Sequence, residues 1–385
     1  MIKRFASWLH LWLGLMSGLV VFISLFAAAI FVWQEEWTGI LHHDKVFVPT
    51  IGKTELSVDS LLMNAQRVES GREISYVTWY RDPRKAVVFD IVKPNPHPVW
   101  YYYHSAYLVN EQVYVDRYTG KVLGIVDNRS ELIWKIYALH TCLLLKYEIG
   151  HYIVGVATII IFVMAITGII LWWPKNKAAF KQRIWFRWKR TTRWRRKNYD
   201  LHNIGGIYTW VFILFFAATG LVWTFDWWEK GIYHLLGEQP EEMFREAKVK
   251  PADAVDYSFE GILKNATGRV PRWESVGLTF PETKTDSTQS LFCVVRYNTR
   301  SGWDEWDEYL YNSKNGSLYY SMTQSQKKLG EKWRTSNYAI HTGSIYGLPT
   351  KIPATLTALF CAFLPISGFL IWWGRKKKGS SKRKS

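Results

Sequence analysis

Two short stretches decide how this chain is read. DLHNIGGIY, residues 200–208, sets a histidine at the mouth of an apolar run, and WLHLWLGLMSG, residues 8–18, does the same near the N-terminus. The runs behind them, 11–33 and 204–223, contain no Asp, Glu, Lys or Arg; nor do two others, 152–173 and 354–373. A helix crossing a bilayer needs about 20 apolar residues, so four membrane spans are expected. MIKR and the Ala27–Ala29 run would also suit a signal peptide. The apolar stretch is too long for that and closes on aromatics, so an uncleaved span is expected.

The chain has 385 residues, a net charge of +17 and 22 tryptophans. The positive charge is concentrated. Lys3 and Arg4 precede the first run, eleven Lys/Arg and no acid fill 175–197, and seven fall in 375–384. Four spans put all three clusters on one side, which the positive-inside rule makes cytoplasmic. Both termini are then expected to be cytoplasmic and the two long connections outside. RIWFRWKRTTRWRRK, residues 183–197, mixes basic residues with tryptophan beside a membrane. That mixture suits lipid headgroups, and no nucleic-acid partner is expected.

The chain reads as an internal duplication. LFAAAIFVW (25–33) matches FFAATGLVW (215–223), YALHT (137–141) matches YAIHT (338–342), and TGIILWW (167–173) matches SGFLIWW (367–373). The predicted fold class is membrane α+β: a pseudo-twofold four-helix bundle carrying two extracytoplasmic α+β domains. The expected segments are a span at 1–33, an outer domain at 34–131, an interfacial segment and span at 132–173 and a basic loop at 174–200. A span at 201–224, an outer domain at 225–335, an interfacial segment and span at 336–373 and a basic tail at 374–385 follow. In the first outer domain, 57–68 reads as a helix and 74–80, 86–92, 100–109 and 111–116 as strands. The second repeats this loosely, with a helix in 251–267 and strands in LTF, SLFCVVRY and DEYLYNSKNGSLYYS.

The helix, the strands and the hairpin VYVDRYTG (113–120) resemble a PepSY domain, and two such domains between histidine-bearing spans resemble the PepSY-associated transmembrane family. The second hairpin, YLYNSKNG (309–316), departs from the pattern with Asn312 and Asn315 where Asp and Thr would fall. The resemblance implies a di-haem b inner-membrane protein of the ferric-siderophore reductase kind.

Four of the ten histidines occupy corresponding places in the duplication: His10 with His202, and His140 with His341. Ionisable groups at membrane depth usually serve function, and imidazole is a common axial ligand of haem iron. Snorkelling toward headgroups is the bland alternative. A zinc or copper site from all four is disfavoured, because the two pairs are expected about 30 Å apart. The expected cofactors are two noncovalent bis-histidine haems b. Gly14 and Gly206, each four residues after a histidine, would lie on the same helix face and leave room for a macrocycle. His151, eleven residues after His140, is a rival ligand for the outer haem.

His42, His43, His97, His104 and His234 read as surface or turn residues, and 303–308 as a solvated hairpin edge. The cysteines Cys142, Cys293 and Cys361 form no C-x-x-C-H, so covalent haem is not encoded; a Cys142–Cys293 disulfide is allowed but not required. No dinucleotide-binding glycine motif follows a strand, so electrons must come from an external donor, a cytoplasmic reductase or quinol. The expected function is transmembrane electron transfer to a ferric chelate outside, the ferric siderophore being implied by the resemblance. The alternative is a membrane-anchored PepSY-type binding or peptidase-inhibitor module without redox activity.

Overall fold

The computed structural model describes residues 1–68, 72–240, 255–280, 290–297 and 303–381, without the side chains of 376–381. Four helices are long and apolar enough to cross a membrane: α1 (Ile2–Phe31), α6 (Tyr147–Trp172), α9 (Gly206–Leu221) with the turns leading into it, and α13 (Leu348–Ser381). α1 packs between α6 and α13, and α9 closes the bundle against both. The flanks facing away from the bundle carry Met16, Leu19, Val211 and Leu356, all well exposed, as a lipid-facing surface requires. The start of α1 is tied to the end of α6 by Lys3, which donates to the carbonyl of Trp173. The basic segments therefore gather at one end of the bundle.

Short helices follow α1: α2 (Gln34–Leu41), α3 (His43–Val46) and α4 (Val58–Val68). The strands of the first half are β1 (Tyr76–Tyr80), β2 (Val87–Pro94), β3 (Tyr107–Val115) and β4 (Val122–Asp127); α5 (Leu132–Cys142) then turns back into the bundle. α7 (Lys177–Arg183) and α8 (Trp194–Asp200) fold the basic loop. The second half carries α10 (Asp226–Leu235), α11 (Phe259–Gly268), β5 (Trp273–Thr279), β6 (Ser290–Tyr297), β7 (Trp306–Asn312), β8 (Leu318–Met322) and α12 (Leu329–Thr342).

The strands of the two expected domains join into one antiparallel sheet of order β4-β3-β2-β1-β5-β6-β7-β8. β1 and β5 meet in the middle, from Tyr76 opposite Thr279 to Tyr80 opposite Ser275. The pairing hides the two inner strand edges, which otherwise invite aggregation. One face buries Val77, Phe89, Leu278, Leu291 and Val295 under Leu61 of α4 and Ile262 of α11, so both halves share a core. The two covering helices cap each other. Asp59 accepts from the backbone N–H groups of Phe259 and Glu260, both at 3.0 Å, and Glu260 accepts from that of Val58 at 3.0 Å. Carboxylates at both N-termini complement the helix dipoles.

Two sequence expectations change here. The run WYYYHSAY does not enter a strand at residue 100. Residues Tyr103–Ala106 form a short 3-10 turn and β3 begins at Tyr107, running unbroken to Val115. The reason is tertiary: the N–H of Tyr103 donates to the carbonyl of Leu144, and that of Lys146 to the carbonyl of Trp100, so this aromatic segment clamps the link between α5 and α6. The optional disulfide does not form, since Cys142 and Cys293 are both free and buried in α5 and in the sheet core. The start of the second expected helix, 251–254, lies outside the described residues.

The departing hairpin keeps its geometry. Asp116 accepts the N–H of Tyr118 at 2.8 Å, and Asn312 accepts that of Lys314 at 2.8 Å. Gly120 and Gly316 follow with φ of 72° and 66°. The turn needs a side-chain oxygen and a left-handed glycine, not a charge.

Asp90, on the other sheet face, has its carboxyl pushed up to about 6 by burial, against a hydrogen bond from Gln112 at 3.0 Å. A raised carboxyl favours the folded state when protonated. That contribution is present below the unfolded value near 4 and is lost as pH rises through about 6. Asp90→Asn is expected to raise stability by about 1–3 kcal/mol at pH 8 and little at pH 4, read as the difference between thermal melts at the two pH values.

Candidate functional site

The four sequence-matched histidines meet in two pairs inside the bundle. The rings of His10 and His202 lie 6.3 Å apart, centroid to centroid, and close to perpendicular at 86°. Those of His140 and His341 lie 6.2 Å apart and tilted by 31°. His10 stands in the third turn of α1, and His202 in a π-helical turn, Leu201–Gly205, between α8 and α9. Such turns often mark functional sites. His140 and His341 hang from the last turns of α5 and α12.

The pairs are nearer than expected. Ser24, which touches His140, is fourteen residues after His10 on α1, a rise of about 21 Å rather than 30 Å. α5 dips into the bundle below the end of α1, which sequence spacing could not reveal.

Each imidazole rests against a hydroxyl from another helix. Nδ1 of His10 lies 2.9 Å from Thr167 Oγ1, that of His202 2.8 Å from Ser367 Oγ, that of His140 3.1 Å from Ser24 Oγ and that of His341 2.9 Å from Thr219 Oγ1. A hydroxyl has one proton to give. Here each gives it to a carbonyl: Thr167 to Val163, Ser367 to Leu364, Thr219 to Phe215 and Ser24 to His140. The hydroxyl must then accept from Nδ1–H. His140 Nδ1 also meets the carbonyl of Ser24 at 3.0 Å, which can only accept. All four rings are thereby assigned the tautomer with a free lone pair on Nε2. Burial favours the neutral form at the pair outside the spanning helices: it lowers His140 below its ordinary value and pushes His341 down to about 3, the neighbouring His140 adding to the latter.

Glycines make the ring sites possible. A Cβ on Gly168 would lie 3.5 Å from His10 Cε1, one on Gly368 3.3 Å from His202 Cε1, and one on Gly220 3.2 Å from His341 Cε1. Three imidazoles therefore sit on a Thr-Gly or Ser-Gly dipeptide. The sequence held the signal, since TGIILWW and SGFLIWW begin with these pairs. In the sequence alone these pairs mark only the match between the halves.

The glycines expected to flank a macrocycle behave differently from each other. Gly206 has nothing within 4 Å of its missing side chain, but the space at Gly14 is filled by the methyl of Met164 at 2.9 Å. Gly14 serves the contact of α1 with α6. His151 stays apart from the pair: its ring stacks on Tyr147 at 4.6 Å and touches Tyr152, and its Nδ1 donates to the Tyr147 carbonyl at 3.0 Å. In the second half, Lys351 stands near the corresponding place. It pairs with Glu36 at 2.6 Å and lies over the Trp33 ring.

His140, His341 and His151 all line one mostly apolar cavity of about 270 Å³, with Ser24, Phe216, Trp223 and Cys361 among its walls. Among the described residues no cluster of three or more His, Cys, Asp or Glu could enclose a metal ion. Each site offers two imidazoles at van der Waals to coordination range, and the His140–His341 site adds apolar walls.

The sequence profile of the PepSY-associated TM region matches residues 7–375. The chain belongs to that family. No curated protein matches the sequence. Membership covers both histidine pairs and the whole sheet, and accords with the membrane character of the four helices.

Proposed function

We propose that this family member is a transmembrane di-haem b electron-transfer protein that reduces a ferric chelate, such as a ferric siderophore, on the sheet side of an inner membrane. The reading takes the two halves as a repeat, the basic end as cytoplasmic and the sheet as periplasmic. One observation carries it: two pairs of imidazoles lie inside the bundle with ring centroids 6.3 and 6.2 Å apart. Metal–imidazole bonds are roughly 2 Å long, and a five-membered ring adds about 1.1 Å from nitrogen to centroid at ordinary bond lengths. Two imidazoles that shared one metal would thus have centroids up to about 6 Å apart. With only two protein donors, a macrocycle has to supply the rest of the coordination sphere, which fits haem and not structural zinc.

Bound haem supplies reversible one-electron chemistry. His10 and His202 would hold one, and His140 and His341 the other. Thr167, Ser367, Ser24 and Thr219 fix each ring's tautomer and orientation, as hydrogen-bonded neighbours of ligating histidines do. The lipid-facing helices exclude water. An external donor gives one electron at the basic end, and ferric iron in the chelate becomes ferrous at the other, where its hold on oxygen donors weakens.

Protein purified from haem-replete cells is expected to carry two equivalents of noncovalent haem b, measured by its reduced-minus-oxidised spectrum and by extraction. After reduction by dithionite and removal of the excess, a ferric siderophore should reoxidise both haems while a ferrous trap colours. A folded, colourless protein overturns the reading and favours a binding module.

A further inference from the structure

The histidines of the second half share a feature the first half lacks. His202 and His341 end the pentapeptides NYDLH (198–202) and NYAIH (337–341). The asparagines are buried, 3% exposed at Asn198 and 0% at Asn337. Asn198 donates through Nδ2 to the carbonyl of Ser367 at 3.0 Å, and Asn337 to the carbonyl of Thr219 at 3.1 Å. Those are the two residues whose hydroxyls receive Nδ1–H of His202 and His341. Each Asn and its His, four residues on, therefore grip one Ser or Thr by both its carbonyl and its hydroxyl. The following glycine, Gly368 or Gly220, bears on the imidazole.

Residues four before the other two histidines are Ala6 and Ile136. His10 and His140 thus sit in the same bundle with an apolar residue at that place, so helix packing does not require an amide there. The amide is also costly. In both copies Oδ1 is buried without a partner, and an unmet buried acceptor disfavours folding. A group kept twice at such a cost, twice locking the hydroxyl behind an imidazole, has a task beyond packing.

We infer that Asn198 and Asn337 are positioning residues: each holds the Ser or Thr whose hydroxyl meets Nδ1 of His202 or His341, and so fixes the second-half imidazole of its pair. The inference rests on the di-haem reading and gives the second-half imidazole of each pair a support that the first-half imidazole lacks.

The isosteric variants Asn198→Asp and Asn337→Asp, which keep shape but lose the amide donor, and the apolar Asn198→Ala and Asn337→Ala, imitating the first half, test it. The readouts are the low-spin optical and paramagnetic signatures and the midpoint potential of each haem, assigned by His10→Ala and His140→Ala. Changes at residue 198 should shift the potential and partly lose the low-spin signal of the basic-end haem alone; changes at 337 should affect the other haem alone. The untouched haem reports that the protein is folded. Both haems unaltered in signature and potential, or both lost together in every variant, overturns the positioning role. Wild-type protein without haem defeats the underlying proposal instead.

Discussion

His341→Ala is expected to purify with one haem in place of two, and with the remaining haem unchanged in spectrum. His341 lies against His140, Phe216 and Trp223, with Thr219 Oγ1 on Nδ1 and Gly220 against its edge. On the di-haem reading, its loss would leave His140 as the one histidine of the pair to hold that haem. The basic-end pair, about 20 Å away along α1, shares no side chain with it. His202→Ala should give the mirror result. The two rings at that end are nearly perpendicular and those at the other are only tilted, so the two haems are expected to be spectroscopically distinct. His151→Ala should keep both haems, because its ring is engaged with Tyr147 rather than with the pair. Loss of the same haem from His151→Ala and not from His140→Ala would reassign the ligand.

Gly150→Ala is expected to be the most damaging small substitution near the site. Its Cβ would lie 2.0 Å from the carbonyl oxygen of Cys142 and 2.7 Å from the carbonyl carbon. Those are backbone atoms and cannot swing away. The first turn of α6 passes this close because the link from α5 reverses sharply through Leu143 and Leu144, both left-handed at φ 55° and 63°. That conformation is unfavourable for leucine, and the backbone bonds from the aromatic segment 100–103 help hold it. Pushing the two helices apart would displace His140, two residues before Cys142. The expected cost is about 1–3 kcal/mol of stability, with selective loss of the outer haem. Gly155→Ala is the comparison, since its Cβ would meet side-chain atoms of Thr224 and Phe225, which can shift. Melting temperature and haem content of the two variants decide the matter. Equal behaviour would mean that the α5–α6 contact does not place His140.

Much of this protein is legible in the sequence because the strongest signals are local and repeated. A charge-free run of twenty residues has few fates besides a membrane helix. Four histidines in matched positions declare their partners, because a repeat makes symmetry a guide to proximity. The hairpin VYVDRYTG states its own turn chemistry, an oxygen acceptor followed by glycine.

The tertiary structure decided what depends on contacts between distant segments. Two modules become one sheet because β1 meets β5 across two hundred residues, and no local pattern encodes an edge-to-edge partner. The hydroxyls behind the imidazoles come from helices 116 to 165 residues away. Thr-Gly and Ser-Gly in a span mark only a match between the halves until the ring beside them is seen. Gly14 illustrates the converse: correct helical spacing told which face it occupied, and only the neighbouring helix told that Met164 fills the space. Periodicity gives direction along a helix, whereas what lies in that direction is set by how helices cross, and crossing is a property of the packed bundle.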